Sequence, residues 1–420
     1  MPRRPAISGA HSGLPLYLAM AFFARLAEEG TAVAVVLLAL QRSGSAGQGA
    51  FVLAAWMAPH VIAAPLVGAL VSRMRRPRLC YLGALGGFAC AIAGLATSVG
   101  RAPTPVTLAV ALAGGSFGPV VSGGLSSLIA GLLPTGAPRD RAYALDAAVY
   151  NAASLAGPAV AGLAAAVASP GGAILLLVGA AAAAAALAGG LPYGRMQPAA
   201  ADHAPAGTLR ADLTAGLAAV WRIRALRALT AGTCLAFVGV GALTTTTVLL
   251  ADHRGRPGAG GILMTAFALG ALAGSLAAAR WRPLLSDPRL APLALCGTGV
   301  TLATAALPVS ATATTALFVL AGLYDGPLLT ATLRLRAAHA PPPVRAQVFT
   351  LGAGLKITAA ACGATLVGAA AALPPPLLLL GIAAVHLAAA LLYTVVRPRE
   401  QGTGGAAGPR APLPDARALP

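Results

Sequence analysis

Apolar runs of about twenty residues, separated by short polar stretches rich in arginine, glycine and proline, recur along the whole 420-residue chain. A helix needs about 20 mostly apolar residues to cross ~30 Å of hydrocarbon. Twelve runs meet that length, at 14–40, 49–71, 79–99, 105–133, 143–168, 172–191, 227–250, 259–279, 290–309, 312–333, 346–372 and 375–396. The pattern predicts an all-α polytopic membrane protein with twelve transmembrane helices. The sixth run, "GAILLLVGAAAAAAALAGGLP", is dominated by alanine. Alanine gains little from lipid, so this helix must pack against others, and the many Gly and Pro residues inside the runs are those a helix bundle tolerates.

The breaks in the pattern set the domains. A short N-terminal segment, 1–13, precedes a first bundle at 14–191, a linker at 192–226, a second bundle at 227–396 and a tail at 397–420. The first run is long, charged at its middle and lacks a small-residue cleavage site, so it reads as a retained span rather than a signal peptide. In the linker, Leu209, Leu213, Leu217, Val220 and Trp221 recur at helical spacing, with Arg210, Arg222 and Arg224 on other sides. That spacing predicts either a cytoplasmic surface helix or an inward extension of the seventh span. The Gly- and Pro-rich tail from Gly402 onward is expected to be disordered.

Composition agrees with the pattern: 58% of residues are hydrophobic and only 10% charged, against roughly a quarter charged in soluble domains. A formal net charge of +18 could announce a nucleic-acid binder, but the arginines cluster between apolar runs instead of forming one basic face. They report orientation instead. With the N-terminus inside, only Arg42, Arg101, Arg254 and Arg256 fall outside, and Arg25 and Lys356 fall within spans, while every other Lys or Arg falls inside. Cytoplasmic loops retain positive charge, so both termini are expected in the cytoplasm of a cell-membrane protein. Tyr17, Tyr81, Tyr143, Tyr193, Trp281 and Tyr393 fall at the expected inner helix ends, where interfacial aromatics gather. The five cysteines stand singly in apolar stretches, as small packing residues, and no HExxH, P-loop or clustered Asp with His is present. No metal, cofactor or enzymatic activity is expected.

The two halves repeat. "AGGSFGPVVS" at 113–122 resembles "AGLYDGPLLT" at 321–330, Arg141 matches Arg345, Gly157 and Gly162 match Gly363 and Gly368, and Arg73-Met74-Arg75 matches Arg280-Trp281-Arg282, all at nearly the same offset. Two pseudo-symmetric six-helix bundles follow. The stretch "GALVSRMRRPR" at 68–78 is similar to the loop motif between the second and third helices of the major facilitator superfamily, with Gly68, Arg73 and Arg76 in place and Ser72, Arg75 and Pro77 departing from it. "NAASLAGPAVAG" at 151–162 partly resembles the Gly-Pro motif of proton-coupled exporters in that family. The resemblance implies a central cavity lined by helices one, four, seven and ten, a latch at the 68–78 loop, and bacterial proton-coupled efflux relatives. Asp146, near Arg139, Arg141 and Arg73 of the inner connections, reads as part of that cytoplasmic latch rather than as a substrate ligand.

Charges inside the spans then become the candidate chemistry. Arg25, Glu28 and Glu29 share one helical face at about 100° per residue, and a bare charge at mid-bilayer costs roughly 2.5 to 3.5 kcal/mol, so that face should look into the bundle. Arg25 either neutralises one glutamate as a purely structural pair, or leaves the other carboxylate as a proton or cationic-substrate site. Asp325 in the second half is either a counterpart site, beside a Gly-Pro able to break the helix, or the partner of Lys356. Tyr324, Asn151, His60 and Tyr150 are further lining candidates, and Thr244 to Thr247 are more often helix-packing groups than ligands. The expected function is secondary active transport by alternating access, as a monomer, of a small organic molecule exported in exchange for protons. A proton-coupled uptake symporter of the same fold is the alternative, with a polytopic membrane enzyme a remote third.

Overall fold

The computed structural model describes residues 13–44, 46–73, 76–193, 209–256, 259–280 and 286–397, and their regular structure is entirely helical. The helices are α1 (Gly13–Ser43), α2 (Ala46–Met57), α3 (His60–Arg73), α4 (Pro77–Ser98), α5 (Thr104–Gly115), α6 (Leu125–Leu132), α7 (Ala137–Val167), α8 (Pro170–Gly189), α9 (Leu209–Arg222), α10 (Arg224–His253), α11 (Gly260–Arg280), α12 (Asp287–Ala306), α13 (Ala311–His339), α14 (Arg345–Ala369) and α15 (Pro375–Val396). A π-helical turn, Val120–Gly124, joins α5 to α6 after Pro119. Proline in the first turn opens α4, α8 and α15, where its missing N–H costs no hydrogen bond. Ser169 and Ser310 cap α8 and α13 by accepting from Gly172 N and Ala313 N.

Among the described residues, ten spans are long and apolar enough to cross a membrane, and the bent pair α2–α3 makes an eleventh. Helix α1 completes twelve. Its 31 residues exceed the required length, and only its ionisable residues, three or four in every 18-residue stretch, set it apart. The perimeter fits lipid, with Leu175, Leu176, Leu293, Val300, Leu391 and Val395 among the large apolar side chains left exposed on α8, α12 and α15.

Packing repeats between the halves. In the first, α1 packs on α7 and α8, and α8 on α4; in the second, α10 packs on α14 and α15, and α15 on α12. The seams joining the halves are reciprocal as well, α3 against α14 and α7 against α11. The alanines of α8 expected to depend on packing do so, since Ala180, Ala181, Ala184 and Ala188 are buried. Helix α9 is a separate element ended at Ile223, and it lies against α3, α10 and α14. The expected disordered tail falls outside the described residues.

Two expectations are corrected here. The tyrosines at the expected inner helix ends are not an interfacial belt: Tyr17, Tyr81, Tyr143, Tyr193 and Tyr393 are all buried. Tyr81 donates to the Gly124 carbonyl and stacks on Tyr193, and Tyr143 stacks on Phe349 across the halves. Their rings fill helix crossings that alanine and glycine leave open. Nor does Gly326-Pro327 break its helix, because α13 runs continuously through Pro327. The Gly326 carbonyl, one residue before the proline, accepts from the Ser275 and Thr330 hydroxyls, while the carbonyl that Pro327 leaves without its helical donor is that of Leu323.

Close approach of α11 and α13 requires glycine, since a Cβ at Gly322 would overlap the Phe267 carbonyl. Gly322→Ala is expected to destabilise the purified protein by about 1–3 kcal/mol, the usual range for overpacking. Gly83→Ala, which meets nothing within 4 Å, should leave thermal melting in detergent unchanged.

Candidate functional site

The ionisable residues of α1 turn inward, as the cost of mid-bilayer charge demands, but Arg25 does not pair with either glutamate. Its Nη1 donates to Asp146 Oδ1 at 2.8 Å and to the Asp146 carbonyl at 3.1 Å, and its Nη2 donates to Ser126 Oγ at 3.0 Å. Asp146 also accepts from the Tyr17 hydroxyl at 2.8 Å and from Ser126 at 2.6 Å. The Tyr150 ring closes the cluster, 5.0 Å from the guanidinium carbon. Asp146 is therefore the fully buried counter-ion of Arg25 and not a member of a surface latch with Arg139 and Arg141. Two physical reasons favour this partner. An acid four residues after a base is the poorer order for a helical pair, and Cβ vectors tilt toward a helix N-terminus, the end at which α7 presents Asp146.

Released from Arg25, the glutamates find weaker partners. Glu28 Oε1 lies 3.7 Å from His60 Nε2 of α3, and the His60 Nδ1 faces the Met57 carbonyl at 3.1 Å. Glu29 accepts from Ser154 of α7 at 3.3 Å. Beside it, α1 and α7 touch so closely at Gly30 and Gly157 that a Cβ on Gly157 would meet Glu29 Cβ at 2.8 Å.

In the second half, Lys356 of α14 and Asp325 of α13 form no ion pair with each other. The Lys356 ammonium sits over the Phe237 ring at 4.4 Å. Asp325 has no hydrogen bond or ion pair among the described residues, and Tyr324 packs against Gly297 of α12 instead of facing the interface. Asn151 belongs to the seam between halves, donating to Ser275 Oγ at 2.7 Å and the Ala271 carbonyl at 3.2 Å. Thr246 and Thr247 bond back to their own helix.

A narrow cavity of about 20 Å³ lies between the halves, lined by Ser126, Asp146, Tyr150, Phe237, Arg336 and Lys356 among others. That volume holds about one water. A larger cavity of about 580 Å³ is built wholly from the second half, around Leu250, Arg254 and Thr314. The central cavity is shut at the end bearing the arginine-rich connections. There Arg334 of α13 donates to the Asp140 carbonyl of α7 at 2.8 and 2.9 Å and pairs with Asp287 at 3.4 Å. Tyr143 stacks on Phe349 with centroids 6.1 Å apart. Gly68 of the loop motif sits where a Cβ would meet Gln347 Cα at 2.5 Å. Arg76 is exposed between α3 and α4, while the side chain of Arg73 falls outside the described residues.

Sequence reasoning missed Arg334 and Arg336. Ending the tenth span at 333 left both to the loop count of positive charges, whereas α13 runs on to His339 and buries them. The available signal was the stripe Asp325, Leu329, Leu333 and Arg336, which recurs at helical spacing.

Residues 17–258 match the model of the Major Facilitator Superfamily, and the chain belongs to that family of membrane transporters. Solved structures share the fold. The human organic anion transporter MFSD10 (TETRAN) is 17% identical with a TM-score of 0.69, covering 92% of this chain and 98% of its own. The E. coli fucose:proton symporter FucP is 11% identical with a TM-score of 0.74, covering 93% and 99%. A bacterial homologue of the iron transporter ferroportin, in an outward-facing state, is 15% identical with a TM-score of 0.72, covering 91% and 98%. No curated protein matches the sequence.

Removing one member of a buried pair strands the other charge. Asp146→Ala should therefore cost about 3–5 kcal/mol, read as a fall in melting temperature. The double variant Arg25→Met/Asp146→Leu should recover most of the loss; equal melting of the single and double variants would argue against the pairing.

Proposed function

We propose that the chain is a proton-coupled exporter of a small organic molecule, working by alternating access as a monomer in the cell membrane with both termini in the cytoplasm. The observation that supports it best is the environment of Glu28 and Glu29. Once Arg25 is committed to Asp146, two carboxylates remain within the first bundle with only a histidine at 3.7 Å and a serine hydroxyl at 3.3 Å as partners. A carboxylate held among apolar helices without a fixed cation is a group suited to carrying a transported proton. The nearby His60 gives that proton a neighbour to pass to. Asp325, without a partner on α13, is the corresponding acid of the second half. Gly68, Arg73 and Arg76 serve the gate at the arginine-rich end, which the asymmetry of basic residues assigns to the cytoplasm.

Uptake in symport with protons is the second reading. It is favoured by two structural neighbours, the fucose:proton symporter FucP and the proton:xylose symporter XylE.

The direction is tested in everted membrane vesicles acidified inside. An exporter accumulates its compound there, whereas a symporter accumulates it only in right-side-out vesicles acidified outside. Glu28→Gln/Glu29→Gln should reduce gradient-driven flux at least about tenfold, equivalent to ~1.4 kcal/mol, at unchanged expression. Undiminished flux in that variant removes the glutamates from the coupling path.

A further inference from the structure

Arg336 is almost wholly buried, yet among the described residues its guanidinium makes no hydrogen bond, and both Nε and Nη2 are buried without a partner. It lines the central cavity together with Lys356, whose ammonium sits over the face of Phe237 and has no hydrogen bond or ion pair among the described residues. The acid in the same lining, Asp146, is already spoken for. One of its oxygens takes Tyr17 and Arg25, and the other takes Ser126. Asp325 shares the α13 stripe with Arg336 but stands eleven residues away, ~16 Å along the helix axis, and it does not line the cavity. Glu28 and Glu29 do not line it either. Among the described residues neither cation has a hydrogen-bonded or ion-paired acid: Asp325 acts on Lys356 only at longer range, outside the cavity, so two basic groups face one desolvated space.

Buried guanidinium groups are ordinarily paired, and an orphaned fork of donors costs its full desolvation. A planar guanidinium beside an ammonium matches an oxyanion with two or three oxygens. The rings of Phe237 and Tyr150 line the same space and offer faces to an attached apolar or aromatic body. Helix α14 makes room for the arrangement at Gly352, where a Cβ would run into the Arg336 guanidinium.

Resting on the transporter reading above, we infer that the substrate is an organic anion whose carboxylate or phosphate group is held by Arg336 and Lys356 in the cavity between the halves. In the closed form the cavity, sized for about one water, is smaller than that head group, which enters as the halves part. The remainder of the substrate occupies the space that opens when the halves separate.

The test is an equilibrium titration of the full-length protein in detergent at constant ionic strength, read by melting temperature. The probes are benzoate, phenyl phosphate, benzylamine and benzyl alcohol. Benzoate or phenyl phosphate should raise the melting temperature saturably, and the amine and alcohol should not. Which of the two anions acts identifies the head group as carboxylate or phosphate. Arg336→Gln and Lys356→Gln should each weaken the apparent affinity about tenfold, and Arg101→Gln, an exposed loop residue, should leave it intact. A shift by benzylamine equal to that by the anions, no anion effect on the native chain, or undiminished affinity in both variants overturns the inference. If a variant fails to fold, the anion-against-amine comparison on the native chain decides alone. The measurement needs no proton gradient, so the two proposals fail separately. Anion binding with glutamate-independent flux would keep this site and sink the coupling; glutamate-dependent flux without anion selectivity would do the reverse.

Discussion

A guanidinium with 1% of its surface exposed and a carboxylate with none, Arg25 and Asp146, organise the first bundle. Hydrocarbon at that depth cannot solvate a charge, so each must be answered inside the protein. The answer draws on three elements at once: Tyr17 and Arg25 from α1, Ser126 from α6, and Asp146 with Tyr150 from α7. Because the cluster saturates Asp146, it fixes the rotation of α1 about its axis. That rotation carries Glu28 toward α3 and Glu29 toward α7.

The same electrostatics explain two exceptions to the charge asymmetry. Arg42 and Arg254 lie at the end opposite most other arginines, and neither is a free loop charge. Arg42 donates to the Ala96 and Val99 carbonyls at the C-terminus of α4, and Arg254 donates to the Ala305 and Leu307 carbonyls at the C-terminus of α12. A cation at a helix C-terminus answers both the unpaired carbonyls and the helix dipole. The two arginines close equivalent helices of the two halves in the same way. At the basic end, Arg139 serves α6 similarly, bonding the Ala130 and Leu133 carbonyls.

Most of the fold was legible because bilayer thickness and the helical rise prescribe the length of a span, and each of the twelve apolar runs coincides with a helix or with a bent or π-broken one. The repeat was legible in part because glycines recur at equivalent crossings, Gly157 against α1 and Gly363 against α10, although the matched Gly162 and Gly368 meet nothing within 4 Å. What escaped was whatever depends on neighbours distant in sequence. Nothing within the 14–40 run reveals that Arg25 would choose an acid 121 positions away over one four positions away. Likewise, the arginines at 334 and 336 read as loop charges until the extra turns of α13 carried them inside. Tyr17 and Tyr143 sit near helix ends like interfacial aromatics, but a hydrogen bond to Asp146 and a stack on Phe349 hold them in the interior.

The interactions divide by whether they lie within one half or between halves. Arg25 with Asp146, Glu28 with His60 and Glu29 with Ser154 are all internal to the first bundle. A rigid rotation of one bundle against the other leaves them untouched. Arg334 on the Asp140 carbonyl, Tyr143 on Phe349, and Asn151 on Ser275 span the interface. Any motion that opens the basic end must break the first two. They suit that role, because one is a pair of hydrogen bonds to a carbonyl and the other a single aromatic contact of about 0.5–1.5 kcal/mol. Neither leaves a buried ion without its counter-ion when it parts. The costly charge pairs stay whole within the first bundle, and the interface is held by contacts that can be broken and remade.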